Sequence, residues 1–256
     1  MKKGLFRQLV VLLAVAATIT INALADILPI NGLGTGQISN QFKVFFVPAG
    51  YVFSIWGIIY LGFIAYAIFQ LLPSQRENPR LKAIAGLFVL SCLANCAWIF
   101  LWHYLLFGWT LVAMFVLLVS LILIYLRLGI GNRSTSRAET WMVRVPFSVY
   151  LGWVSVATIA NVTSVLDFVH WSGWGIQPQV WAAIMLAVGV LLAGLMAFTR
   201  RDVAFLLVLV WAFSGIAVKF PTTPVVYYAA WFAAGIAALL IVVTFFLRHQ
   251  RKQAVS

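Results

Sequence analysis

Charge is scarce in this chain, acidic charge above all: only five Asp and Glu occur among 256 residues, and all charged residues together make up 9%. A soluble domain carries roughly a quarter of its residues charged, so water is not the solvent for most of this surface. Cysteine is nearly absent. The two present, Cys92 and Cys96, lie four apart inside one apolar run. Helical neighbours at that spacing do not bridge, and two thiols alone make a poor metal site, so they read as small packing residues. No Asp, Glu, Lys or Arg falls near the centre of an apolar run. A charge-coupled pump needs an acidic group at depth, which argues against proton or sodium coupling.

In place of charge stands hydrophobicity, 64% of the chain, in runs near the ~20 residues that cross a hydrocarbon core of about 30 Å. These features predict an all-α membrane protein, a polytopic helical bundle with about eight transmembrane helices. The spans fall at 6–28, 50–72, 81–102, 106–126, 145–166, 179–199, 203–219 and 225–247. The net charge of +12 is not gathered on one soluble face, as nucleic-acid binding would require. Fifteen of the 17 Lys and Arg lie in alternate gaps, and the other gaps keep only Lys43 and Lys219. The positive-inside rule then places both ends on the inner side. The expected location is a bacterial inner (plasma) membrane, and the expected partners are the lipid bilayer and a hydrophobic small molecule, with no nucleic acid.

Lys2, Lys3 and Arg7 before an apolar stretch ending at Ala23-Leu24-Ala25 also follow a signal-peptide pattern, although the apolar run is long for one. The first outer loop, 29–48, carries Gly32, Gly34 and Gly36 but lacks the Lys-Ser/Thr ending of a phosphate cradle, so it reads as a flexible lid or connector. No internal repeat of the inverted-transporter kind is visible. Ala230, Ala234 and Ala238, and Gly189 with Ala193, form small-residue stripes that serve either dimerisation or packing within one chain, and a homo-oligomer stays open. Trp109, Trp141, Trp171, Trp174 and Trp181 read as interface aromatics.

The candidate site lies elsewhere. In the second span Phe53, Trp56 and Tyr60 share one helical face, as do Asn95, Trp98 and Trp102 in the third. Trp153, Ala157 and Asn161 do so in the fifth, with Thr158 alongside. At 1.5 Å rise per residue all three faces mature in the outer half of the bilayer, beneath the 29–48 loop. Asn95 and Asn161 either serve as interhelical glue by bonding each other or present amides to a ligand. His103 and His170 sit near the outer mouth, where each reads as a solvated residue rather than a haem ligand.

Three stretches resemble the TspO/MBR family, the tryptophan-rich sensory or translocator proteins. These are Pro48-x-x-Tyr51-Val52-Phe53-x-x-Trp56-x-x-x-Tyr60, Asn95-x-x-Trp98, and Trp153-x-Ser155-x-Ala157-Thr158-x-x-Asn161. Tyr51 stands where the family usually has Trp, and Pro146 lies three residues before Val149, which occupies the place of a usual proline. The resemblance covers residues 1–168 as a five-helix bundle with the long outer loop. It leaves 169–256 as three additional transmembrane helices. What it implies is a pocket for a flat, hydrophobic, porphyrin-like ligand lined by Phe53, Trp56, Asn95, Trp98, Trp153, Ala157 and Asn161. The implied role is membrane binding or sensing, with a transporter or permease for a hydrophobic small molecule as the alternative. No cofactor is required, a tetrapyrrole being a ligand. Light-dependent tetrapyrrole breakdown is associated with some family members. In this sequence no hydrolytic triad and no metal-ligand cluster is placed at one depth, so catalysis is the weaker expectation.

Overall fold

The structure is a computed structural model that describes residues 2–28 and 30–253. Pro29, at the start of the outer loop, and residues 1 and 254–256, at the extremes of the two segments inferred above, lie outside the described residues. So do the side chains of Asp26 and of the terminal basic residues at 2, 3, 248, 251 and 252. Among the described residues there are helices and turns and no strand. The chain is an all-α polytopic membrane protein.

Among the described residues eight long apolar helices are present. They are α1 (Lys2–Ile27), α3 (Ile55–Leu71, entered through a 3₁₀ turn at Gly50–Ser54), α4 (Pro79–His103), α5 (Phe107–Leu128), α7 (Val145–Phe168), α8 (Pro178–Leu195), α9 (Val203–Lys219) and α10 (Pro224–Gln253). Two short helices complete the set, α2 (Thr35–Ser39) in the outer loop and α6 (Arg137–Glu139), which runs through a π turn at Thr140–Arg144 into α7. Seven of the long segments are long and apolar enough to cross a membrane. The eighth, α9, has 17 residues and spans about 25 Å.

Starts and stops follow local chemistry. Pro79 and Pro178 occupy the first helical position of their helices, where a missing N–H costs nothing. Asn78 and Asp202 cap α4 and α9 by accepting from Arg80 N and Phe205 N. Gly129 ends α5 in the left-handed conformation at φ 63°.

Short α9 is buried along most of its length, with Phe205, Leu206, Ala212, Phe213, Ile216 and Ala217 all at or below 1% exposure. It packs against α7, α8 and α10 and meets the entrance of α3. Ala49 N donates to Gly215 O at 3.0 Å and Trp211 Nε1 donates to Val52 O at 3.1 Å. A Cβ on Gly215 would stand 2.2 Å from Val52 Cγ2, so only glycine permits this approach. Tyr51 lies edge-on to Trp211 at 5.3 Å, facing α9. Pro146 packs onto Gly62, where a Cβ would meet its Cβ at 2.9 Å.

The small-residue stripe on α10 differs from the expected one. Ala230, Ala233, Ala234 and Ala237 are buried, whereas Ala238 is exposed. Eight residues carry a helix about 80° past two full turns, whereas seven bring it back to within about 20°. Gly189 and Ala193 are buried as expected, and Gly189 gives room to the Phe213 ring. Cys92 and Cys96 are free, one buried and one partly exposed.

At the inner end, Asp202 is 5% exposed and its Oδ2 accepts from Tyr125 Oη (2.7 Å) and Ser148 Oγ (2.6 Å). One carboxylate thus ties α5, α7 and α9. Removing it takes the shared acceptor from two buried hydroxyls and the cap from a helix N-terminus, so Asp202→Ala is expected to destabilise the bundle by about 2–5 kcal/mol. Thermal unfolding in detergent reads this, and an unchanged midpoint would refute the tie. Gln8 and Gln70 exchange side-chain bonds with each other's backbone carbonyl, joining α1 to α3 at the same end.

Candidate functional site

All seven residues singled out above line a single cavity of about 480 Å³. The remainder of its wall comes from α1 (Asn22, Ala23), the outer loop, Tyr60, Trp102, α5 (Met114, Leu117), further α7 residues and Lys219 at the end of α9. Thr158 is not part of the wall. It is buried and its hydroxyl donates to Val154 O at 2.7 Å. The volume falls within the range of small-molecule sites, and the lining is apolar with a few placed polar groups, as such sites require.

Aromatic rings shape the interior. Trp98 and Trp102 stack at 5.1 Å and 17°, Trp56 and Tyr60 at 5.8 Å and 24°. Trp153 stands edge-on to Phe53 at 5.7 Å and to Trp56 at 6.3 Å. These perpendicular contacts match the preferred geometry of ring quadrupoles and hold the aromatic faces in place without a ligand. Among the described lining residues, Trp153 Nε1 is the buried donor that lacks a hydrogen-bond partner.

Asn95 and Asn161 do not bond each other. Asn22 Nδ2 donates to Asn95 Oδ1 at 2.7 Å, and Asn95 Nδ2 reaches Tyr150 Oη at 3.4 Å. Trp98 Nε1 donates to Asn161 Oδ1 at 2.8 Å, while Asn161 Nδ2 donates to Thr110 Oγ1 at 2.9 Å. Each amide is therefore oriented by protein partners from two other helices or spans. Each also keeps one N–H and one lone pair, since a primary amide offers two of each. Glue and ligand contact are not exclusive here.

The outer loop packs over the cavity as a lid. Ile38 on α2 is fully buried against Trp102, Phe107 and Val165. Phe42 packs at 5.6 Å from Trp102 and 4.9 Å edge-on to Phe107. Trp102 Nε1 donates to Thr35 O at 3.3 Å and Asn31 Nδ2 donates to His103 O at 3.1 Å. His103 is likewise not solvated: it is fully buried, with Nδ1 at 2.9 Å from Ile99 O and Nε2 at 3.3 Å from Thr35 Oγ1. A carbonyl only accepts, so Nδ1 carries the proton and a neutral ring uses Nε2 to accept from Thr35. Both nitrogens are engaged, which withholds the ring from iron. His170 is exposed. His103→Phe removes the clip on the lid and is expected to speed ligand entry about fivefold, since one buried hydrogen bond is worth about 1 kcal/mol. Stopped-flow mixing checks this, and unchanged on- and off-rates would show that the lid is not the gate.

Sequence reading missed Asn22 and Lys219 as wall residues. Asn22 had one signal, a lone amide in an apolar run. Lys219 had another, being one of only two basic residues on the outer side.

A family model described as TSPO-like protein matches residues 8–243. No curated protein and no solved structure matches the chain.

Proposed function

This chain belongs to the TSPO-like family, and from that premise we propose that it is a membrane binding or sensing protein for a flat, hydrophobic, porphyrin-like molecule. The observation that carries this reading is the aromatic-walled cavity of about 480 Å³ closed by the 29–48 lid. Stacking faces at Trp56, Trp98 and Trp153 suit an extended ring system. The oriented amides of Asn95 and Asn161 offer their remaining N–H and lone pair to its polar edge. An acceptor on the ligand would also give Trp153 Nε1 the partner it lacks. The site residues are preorganised by one another, so binding immobilises few side chains. We place the protein in a bacterial inner membrane, with the cavity in the outer half of the bilayer.

Titration of detergent-purified protein with protoporphyrin, followed by tryptophan fluorescence, tests this. Saturable quenching is expected, weakened about tenfold by Trp98→Phe or Asn161→Ala, a loss of about 1.4 kcal/mol. Linear quenching that neither substitution changes would mean partitioning into the micelle and would remove the reading.

A further inference from the structure

The cavity is apolar and neutral nearly throughout, with one departure. Of the described residues that line it, Lys219 alone carries a charge, and none is acidic. Lys219 ends α9 on the outer side, one turn beyond Gly215, whose carbonyl accepts from Ala49 at the head of the second span. Its ammonium lies 5.7 Å from the Phe220 ring. Among the described residues no carboxylate pairs with it. Asp167, in the last turn of α7, instead accepts from Lys43 N through Oδ2.

A half-buried ammonium with only a ring face beside it lacks the compensation that buried cations normally find. Its position is also unusual for topology. Fifteen of the 17 basic residues lie on the inner side, and this one of the two exceptions is the one turned onto the cavity. The wall is therefore amphipathic: Tyr60, Trp153 and Leu117 line its apolar depth, while Lys219 shares the wall with Ser39, Asn40 and Ser164. The complement of such a wall is a molecule with a flat apolar body and an anionic end.

We infer that Lys219 is the anion anchor of the cavity, and that the ligand class is an amphipathic ring compound bearing a carboxylate. The inference rests on the binding reading above and narrows it. It also gives α9, which the family match over residues 8–243 includes, a direct part in the site. A charge-assisted hydrogen bond to a carboxylate, sheltered from bulk water by the lid, contributes affinity that a neutral ester cannot reproduce.

The test compares protoporphyrin with its dimethyl ester, in wild type, Lys219→Met and Lys219→Arg, all in a detergent with an uncharged headgroup. Differences in micelle partitioning cancel in the cycle of two ligands and two proteins. Wild type is expected to prefer the free acid about tenfold, Lys219→Arg to keep the preference, and Lys219→Met to bind acid and ester alike. If Lys219→Met binds with the preference intact, Lys219 is not the anchor. If adding phosphatidylglycerol erases the preference in wild type, the lysine serves a lipid headgroup and the inference is overturned. If wild type binds neither acid nor ester saturably, the binding reading itself fails, an outcome distinct from equal, saturable binding of both.

Discussion

Ala157→Phe is expected to abolish or weaken porphyrin binding by at least about tenfold while leaving the fold intact. Ala157 lines the cavity between Trp153 and Asn161, one turn from each. A benzyl group there would take up space that the ligand would occupy. Filling a cavity is commonly neutral or stabilising for the protein alone. Loss of quenching with an unchanged or higher thermal midpoint is therefore the signature of an occupied site. Alanine substitution of Trp98 does not give so clean a contrast, because Trp98 also holds Asn161 and stacks on Trp102. Retained affinity in Ala157→Phe would move the ligand out of this cavity.

Gly215→Val is expected to lower the thermal midpoint by about 5–10 °C and to weaken binding with it. Its first added carbon would lie 2.2 Å from Val52 Cγ2, and Pro48 Cβ stands 3.2 Å away. Neither neighbour is a flexible chain end, so the backbone must separate. That separation breaks the Ala49 N to Gly215 O bond and strains Trp211 Nε1 to Val52 O. Phe53 follows Val52 directly, so the displacement reaches the cavity wall. Gly194→Val is the control: nothing lies within 4 Å of a Cβ at that position, and little change is expected. Equal stability of the two variants would mean that α9 does not position the second span.

Much of this was legible without coordinates. Apolar runs of membrane-crossing length determine the class, because lipid leaves the backbone no alternative to internally bonded helices, and the one-sided distribution of Lys and Arg predicts the orientation. Span boundaries fell close to the helices, within a residue for 203–219 against Val203–Lys219 and within two for 81–102 against Pro79–His103. The three aromatic and amide faces were legible for the same reason. Residues three and four apart on a helix share a side, so each face is a local property.

What one helix faces across a gap is not local. The sequence placed Asn95 and Asn161 at matching depth, but only the packing of α1 and α5 decided that Asn22 takes the first and Thr110 the second. The packing of the lid depended on Ile38 finding a hollow among Trp102, Phe107 and Val165, residues far away in the chain. Asp202 caps α9 locally, and only the approach of Tyr125 and Ser148 makes it a three-helix tie. Gly215 gains its meaning from a neighbour more than 150 residues earlier, across a contact that no periodicity encodes. Hydropathy and charge, summed along the chain, determined that this is a helical membrane bundle and which face of each helix is special. Tertiary packing decided that those faces close on one cavity and that, among the described residues, a single cation borders it, because distances between helices depend on side-chain volumes meeting across the interface.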